Sequence, residues 1–320
     1  MHKKNQLLRL GLAMAVVGVV SSQAFAACVP SKWGADDEIG SANTITPERV
    51  LAATKLVKQG KTQHLGIVVD SEVPAFAPRS LSVTILQPGQ QWGSRPFPNG
   101  MIYNDDIFTG WLGIGSQIDG LAHIGHHHEG TDQFYNCLDG AEISKTTGMS
   151  KLGIEKIPPL VARGVVLNMA GLKGVEHLKA GDVFTVEDVE KAAAQQGVQI
   201  GEGDVVLFHT GWTDHVLPND PKTWVSGEPG IAEEVATYLA EKNVLAVGAD
   251  TWGLDPIPPH KPGRPFQGHI TLIKDNGIYI LEVMNTGALV KDGVSEFLFV
   301  LGPSRLRGAV QAIIDPIAMY

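Results

Sequence analysis

Six short runs constrain the fold more than any other feature of the chain. "SLSVTIL" (80–86), "RGVVLNMA" (163–170), "DVVLFHTG" (204–211), "NVLAVGAD" (243–250), "GIYILEVM" (277–284) and "EFLFVLG" (296–302) are apolar and rich in β-branched residues. Their length and Val/Ile content predict buried strands rather than helices. Two helices are predicted between them. "TVEDVEKAAAQQG" (185–197) sets Thr185 and Asp188 at capping-box spacing and closes on Gly197. "GIAEEVATYLAEKN" (230–243) puts Ile231, Val235, Tyr238 and Leu239 on one face. Strands alternating with helices predict an α/β domain in the second half, whereas the first half is richer in Gly and Pro and reads as loops with strands. Two long proline-rich loops, 87–100 and 253–268, interrupt the pattern. Loops of that length in a compact domain either build sites or are disordered.

The first 26 residues stand apart from this pattern. "MHKKNQLLRL" is a positive start, "GLAMAVVGVV" an apolar run too short to span a bilayer, and "AFA" (Ala24–Ala26) a small-residue cleavage site. A secretory signal cut after Ala26 is the expectation, leaving 27–320 as one domain in the periplasm or outside the cell. The formal charge of the whole chain is −9, and loss of Lys3, Lys4 and Arg9 makes it more negative. An acidic protein repels phosphate backbones and anionic lipid, so neither nucleic acid nor a membrane surface is an expected partner. Cys28 and Cys137 are the two cysteines. They leave room for one disulfide, which sequence does not decide, and they lack the spacing of a zinc finger.

Chemistry concentrates in "SQIDGLAHIGHHHEG" (116–130). In an extended segment Gln117, Asp119 and His123 share one face, and an amide, a carboxylate and an imidazole together suit a hard-to-borderline metal; a solvated surface loop is the alternative. Of the adjacent His126, His127 and His128, His126 is the one expected to line a pocket. Downstream, a turn at "KDNG" (274–277) predicts an antiparallel pair that brings His269 and Glu282 together. There is no nucleophile elbow, no Walker loop and no dinucleotide fingerprint, so nucleotide chemistry is not expected.

From Asp36 to the C-terminus, the blocks "SQIDGLAH", "FYNCLDG", "SKLGIEKIPPLVARGVVLNMA", "AGDVFTVEDVEKA", "GDVVLFHTGW", "GADTWGLD", "NGIYILE" and "EFLFVLGPSRLRGA" resemble, in order, the metal-dependent hydrolases of the cyclase family, which includes bacterial kynurenine formamidases and isatin hydrolases. The family signature is His-x-Gly-Thr-His-x-Asp-x-Pro-x-His. Asp119 matches its aspartate, His123 its final, catalytic histidine, Gly115 its glycine and Ser116 its threonine. Gly113 and Gln117 replace the two other histidines, and His269 and Glu282 match the downstream ligand pair. The resemblance implies a single globular α/β domain with a mixed sheet flanked by helices, of the swivelling β/β/α-like kind. It implies a metal site, and the departure at Gly113 makes one divalent ion rather than two the expectation, zinc or manganese, held by Asp119, His269 and Glu282, with Gln117 adding its amide oxygen or orienting water. His123 is then the proton carrier in hydrolysis of a small amide, cyclic amide or lactone. It also implies a homodimer or larger assembly. Trp92, Tyr135, Trp212 and Trp252 are candidate pocket walls. A small-molecule binding protein that keeps the fold without the chemistry is the alternative, and Gly113 favours it.

Overall fold

The computed structural model describes residues 28–87 and 97–320. The predicted leader with its cut after Ala26 lies outside these residues, as does Trp92. One mixed sheet organises the molecule. Its strands are β1 (Thr62–His64), β2 (Gln117–Asp119), β3 (Leu160–Asn168), β4 (Val205–His209), β5 (Ala246–Ala249), β6 (Tyr279–Glu282), β7 (Glu296–Leu301), β8 (Gln311–Ile313) and β9 (Ile317–Met319). They lie in the order β1-β9-β7-β3-β4-β5-β6-β2-β8. The central four, β3 to β6, run parallel, and antiparallel strands extend both sides. Every position of β4, β5 and β6 is buried. A strand covered on both faces has no solvent side, so its sequence runs apolar without alternation.

Three helices flank the sheet: α1 (Pro47–Thr54), α2 (Val186–Gln196) and α3 (Glu233–Glu241). At the start of α2 the Asp188 amide donates to the Thr185 hydroxyl at 3.3 Å and the Thr185 amide to the Asp188 carboxylate at 3.0 Å, satisfying two otherwise unpaired donors. Gly197 ends the helix in the left-handed region, φ 70°, where a side chain would be strained. Its apolar stripe of Val189, Ala192 and Ala193 is buried, as are Val235, Ala236 and Leu239 of α3. Ile231 is not on the α3 face: it pairs with Phe184 in a two-residue parallel ladder before the helix begins. Phe184 and Phe208 meet in the core with ring centroids 4.8 Å apart.

Two other expectations are corrected. The run at 80–86 is a strand, Leu81–Leu86, but it pairs only with Asp105–Gly110, in a ribbon apart from the main sheet. Its polar residues Ser82 and Thr84 alternate with Val83 and Ile85, and the ribbon is largely exposed on both sides. The "KDNG" hairpin is absent: residues Gln267–His269 are helical, Ile270–Asp275 continue as a wider π-type turn, and a single strand, β6, follows. Both edges of β6 are already taken by β5 and β2, so a second strand has no place, and helical winding buries Leu272 and Ile273 instead.

Cys28 and Cys137 form a disulfide across 109 residues of sequence. Beside it, the Asn136 side chain donates to the carbonyls of Gly34, Ala35 and Asp37 at 2.9–3.0 Å, and the Tyr135 hydroxyl lies 2.6 Å from Ser31 Oγ and Asp37 Oδ2. The segment after residue 28 is thereby fastened to the body. Among the described residues no helix is long and apolar enough to cross a membrane.

Candidate active site

Strand register assembles the site. β2 lies between β6 and β8, with Gln117 opposite Glu282 and Asp119 opposite Gln311. Directly opposed residues project to the same face, so these four side chains meet, while Ile118 points into the opposite core, fully buried. The extended reading of 117–123 holds only as far as Asp119. From Gly120 the chain turns, with the His123 amide donating to the Gly120 carbonyl at 3.0 Å. Leu121 drops into the core, and the turn brings His123 Nε2 to 3.9 Å from Asp119 Oδ2.

His269 arrives from the helical segment rather than from a strand. Asp255, in the long loop before it, accepts from the Gly268 amide at 2.8 Å and the His269 amide at 3.2 Å, and pairs with His269 Nδ1 at 2.7 Å. With Nδ1 engaged by a carboxylate, Nε2 is the nitrogen turned inward; it lies 3.1 Å from Glu282 Oε1 and 3.7 Å from Asp119 Oδ2. One ligand atom from each of Asp119, His269 and Glu282 falls within 4.8 Å of the others, and all three residues are buried.

The electrostatics suit a cation. Asp119 Oδ2 is buried and, among the described residues, has no hydrogen-bond partner, an arrangement that costs free energy unless a positive group neutralises it. Burial and the neighbouring Asp119 carboxylate push Glu282 up to about 7, which reflects acids crowded without sufficient counter-charge. Burial opposes charge on His269, yet its hydrogen bonds to Asp255 and Glu282 raise it well above the ordinary imidazole value. His123 differs: burial holds it below the usual value, with Asp119 pulling the other way.

Gln117 turns its amide nitrogen to the cluster, close to Glu282 Oε2 and 3.4 Å from Asp119 Oδ1. It therefore donates to two carboxylates, whereas ligation through its amide oxygen would need the amide turned over. Gln311, which no sequence motif marked, donates to the same Asp119 Oδ1 at 2.7 Å. A Cβ placed on Gly113 would lie 2.4 Å from Gln311 Oε1. The Gln311 amide thus fills the space where the family signature carries its first histidine.

A cavity of about 200 Å³ opens onto His123, His269 and Glu282 and is walled by Phe76, Arg79 and Trp252, with Phe266 beyond. Phe76 stacks on Trp252 at 5.7 Å between centroids, and the Phe266 ring stands edge-on to His269 at 5.4 Å. Glu228 braces this wall from behind: it is fully buried, and one oxygen accepts from the amides of Trp252 and Gly253 at 2.6 and 3.1 Å. Burial and the nearby Glu282 hold its carboxyl well above the ordinary range.

Of the predicted walls Trp252 is in place. Trp212 is buried one layer back, donating to the Trp224 carbonyl to which Trp252 also donates. Tyr135 belongs to the N-terminal fastening, outside the cavity. His126–His128 form a small hairpin strand paired with Thr131–Gln133; His126 and His127 are exposed, and His127 pairs with Asp132 at 2.6 Å. His126 lines a separate surface groove with Phe134 and Asp139. The loop 253–268 does build the site, supplying Asp255 and Phe266. Asp255, Arg79, Gln311 and Glu228 escaped the sequence reading, although Asp255 closes the block "GADTWGLD".

The Cyclase family model matches residues 63–256, and the chain belongs to that family. A crystal structure described as a novel cyclase is 31% identical, with 90% of this chain and 96% of that one covered at a TM-score of 0.80. An isatin hydrolase bound to the product analogue thioisatinate is 15% identical, covering 86% of this chain and 99% of that one at 0.60. Isatin hydrolase A from Ralstonia solanacearum is 18% identical, covering 86% and 97% at 0.58. The last two share the fold. No curated protein matches the chain.

Proposed function

We propose that this chain is a metal-dependent hydrolase of small amides, cyclic amides or lactones. The observation that carries the reading is the unpartnered Asp119 Oδ2, buried within reach of His269 Nε2 and Glu282 Oε1. Asp119, His269 and Glu282 would hold one divalent ion, and their mixture of nitrogen and oxygen suits zinc or manganese. Gln311 and Gln117 both donate to Asp119 Oδ1, which leaves Oδ2 as the open oxygen and favours one ion over two. When bound, such an ion supplies Lewis acidity, making water nucleophilic near neutral pH and polarising a carbonyl.

The chain's own groups do the rest. Asp255 fixes the His269 ring and its tautomer. His123, facing the cavity and kept neutral by burial, accepts a proton from water and returns it to the leaving nitrogen or oxygen. The aromatic wall of Phe76, Trp252 and Phe266 excludes water and seats a planar substrate. The isatin hydrolases share the fold, and by their names they act on isatin, a cyclic amide, which is in line with the cyclic-amide reading. The export signal and a homodimer or larger assembly belong to the same proposal. Val83 and Phe108, paired and exposed on the ribbon, support the assembly, which light scattering on the purified protein tests.

Metal stoichiometry and hydrolysis measured on wild type, Asp119→Ala and Gln117→Ala test the central claim. Asp119→Ala should lose both metal and activity, because it removes the open carboxylate. Gln117→Ala should do less, since a neutral amide adds no charge. A wild type that stays inactive towards arylformamides, cyclic amides and lactones after reconstitution with zinc or manganese would overturn the enzyme reading.

A further inference from the structure

We propose that Arg79 is the anion-recognition residue of this pocket and that the substrate is a single small ring bearing a carboxylate near the bond to be cleaved. The inference rests on the hydrolase reading and adds the substrate class. Arg79 lines the same cavity as His123 and Glu282. Its guanidinium has five N–H donors in a fixed fork, and Nη1 is spent on the Gly113 carbonyl at 2.6 Å. Among the described residues no carboxylate forms an ion pair with it; Arg305 and Arg307 also lack one but are exposed, whereas Arg49, Arg163 and Arg264 are each paired. A half-buried cation left open towards a cavity is poised for a ligand, and the fork matches a carboxylate in two-point contact.

The rest of the cavity restricts what carries that carboxylate. Glu282 lines the cavity and is acidic, so an anion enters only where cations, the ion that Glu282 would help to hold and Arg79, offset the repulsion. Its volume of about 200 Å³ is somewhat larger than the roughly 150 Å³ cavity that holds benzene, enough for one ring with small substituents. Phe76, Trp252 and Phe266 present aromatic surface to a planar ring. A carboxylate released by hydrolysis would satisfy the same fork, so binding and turnover must be read separately.

The test uses full-length metal-loaded protein and the variants Arg79→Met and Arg79→Lys, with metal content checked in each. Affinities for benzoate and for benzamide are measured by calorimetry, and kcat/KM for N-formylanthranilate and for formanilide, which lacks the ring carboxylate. In wild type the carboxylate member of each pair should be preferred, and in Arg79→Met both preference ratios should fall tenfold or more. Arg79→Lys, which keeps the charge without the fork, should recover part of the loss. Unchanged ratios in Arg79→Met would overturn the proposal. So would a lower benzoate ratio beside an unchanged turnover ratio, since Arg79 would then serve only a released carboxylate. If wild type hydrolyses neither formamide, the hydrolase reading fails for this class, and the benzoate-to-benzamide ratio still decides whether Arg79 reads an anion.

Discussion

His123 and His269 lie on the same carboxylate oxygen, Asp119 Oδ2, at 3.9 and 3.7 Å, yet their surroundings assign them different work. His269 has its second nitrogen held by Asp255 and pairs with Glu282, the setting of a ligand; His123 has no such brace and borders the cavity. Replacing His123 with Ala should leave metal content near wild type while lowering turnover about a hundredfold or more, the scale of a general acid–base group; loss of metal together with activity would refute that assignment. Asp255→Ala frees the His269 ring and should weaken metal affinity about 10- to 100-fold, read by competition with a chelator. Glu228 gives a pH signature. Its pKa in the folded protein is raised, so its carboxyl is neutral in both states below about pH 4, and stability falls as pH rises from there towards the folded value, because the unfolded carboxyl ionises while the buried one stays protonated. Glu228→Gln keeps the shape without the charge, and its melting temperature should fall less than that of wild type over the same rise in pH.

At the scale of elements, what sequence reveals depends on whether the signal is local. The α2 capping box was legible because both partners lie within one turn, and Thr185→Ala should cost about 1 kcal/mol of stability, measured by urea denaturation. Gln117, Asp119 and His123 were legible because one motif holds them within seven residues, and His269 and Glu282 through the family resemblance, although the hairpin expected to join them is not what brings them together. Arg79 and Gln311 were not, since their roles arise from pairings across the fold: Gln311 meets Asp119 from 192 residues away, through a register that no local pattern encodes. The segment after Phe266 was misread for a related reason. "GHITLIKDNG" tolerates a strand or a helix by composition, and the choice was made by neighbours that had already occupied both edges of β6. The triple histidine shows the converse, a conspicuous motif that the fold leaves on a small exposed hairpin.

For the whole molecule, the parallel strands supply a rigid body, and the site forms where the last of them, β6, meets the antiparallel strands β2 and β8. Truncating the core, as in Phe208→Ala, should cost about 3–5 kcal/mol and lower metal-loaded and metal-free stability alike, whereas losses at Asp119 or Asp255 should appear mainly with metal present. The Cys28–Cys137 link closes a loop of over one hundred residues. Its removal by Cys28→Ser with Cys137→Ser should cost about 2–5 kcal/mol, seen as a lower melting temperature that a reducing agent no longer changes.

The contact between Gly113 and the Gln311 amide makes the two positions epistatic. A side chain at 113 must displace the end of Gln311, which is tied to Asp119 by a hydrogen bond. A histidine at 113 alone should therefore be worse than either the present pair or a double replacement with a small residue at 311.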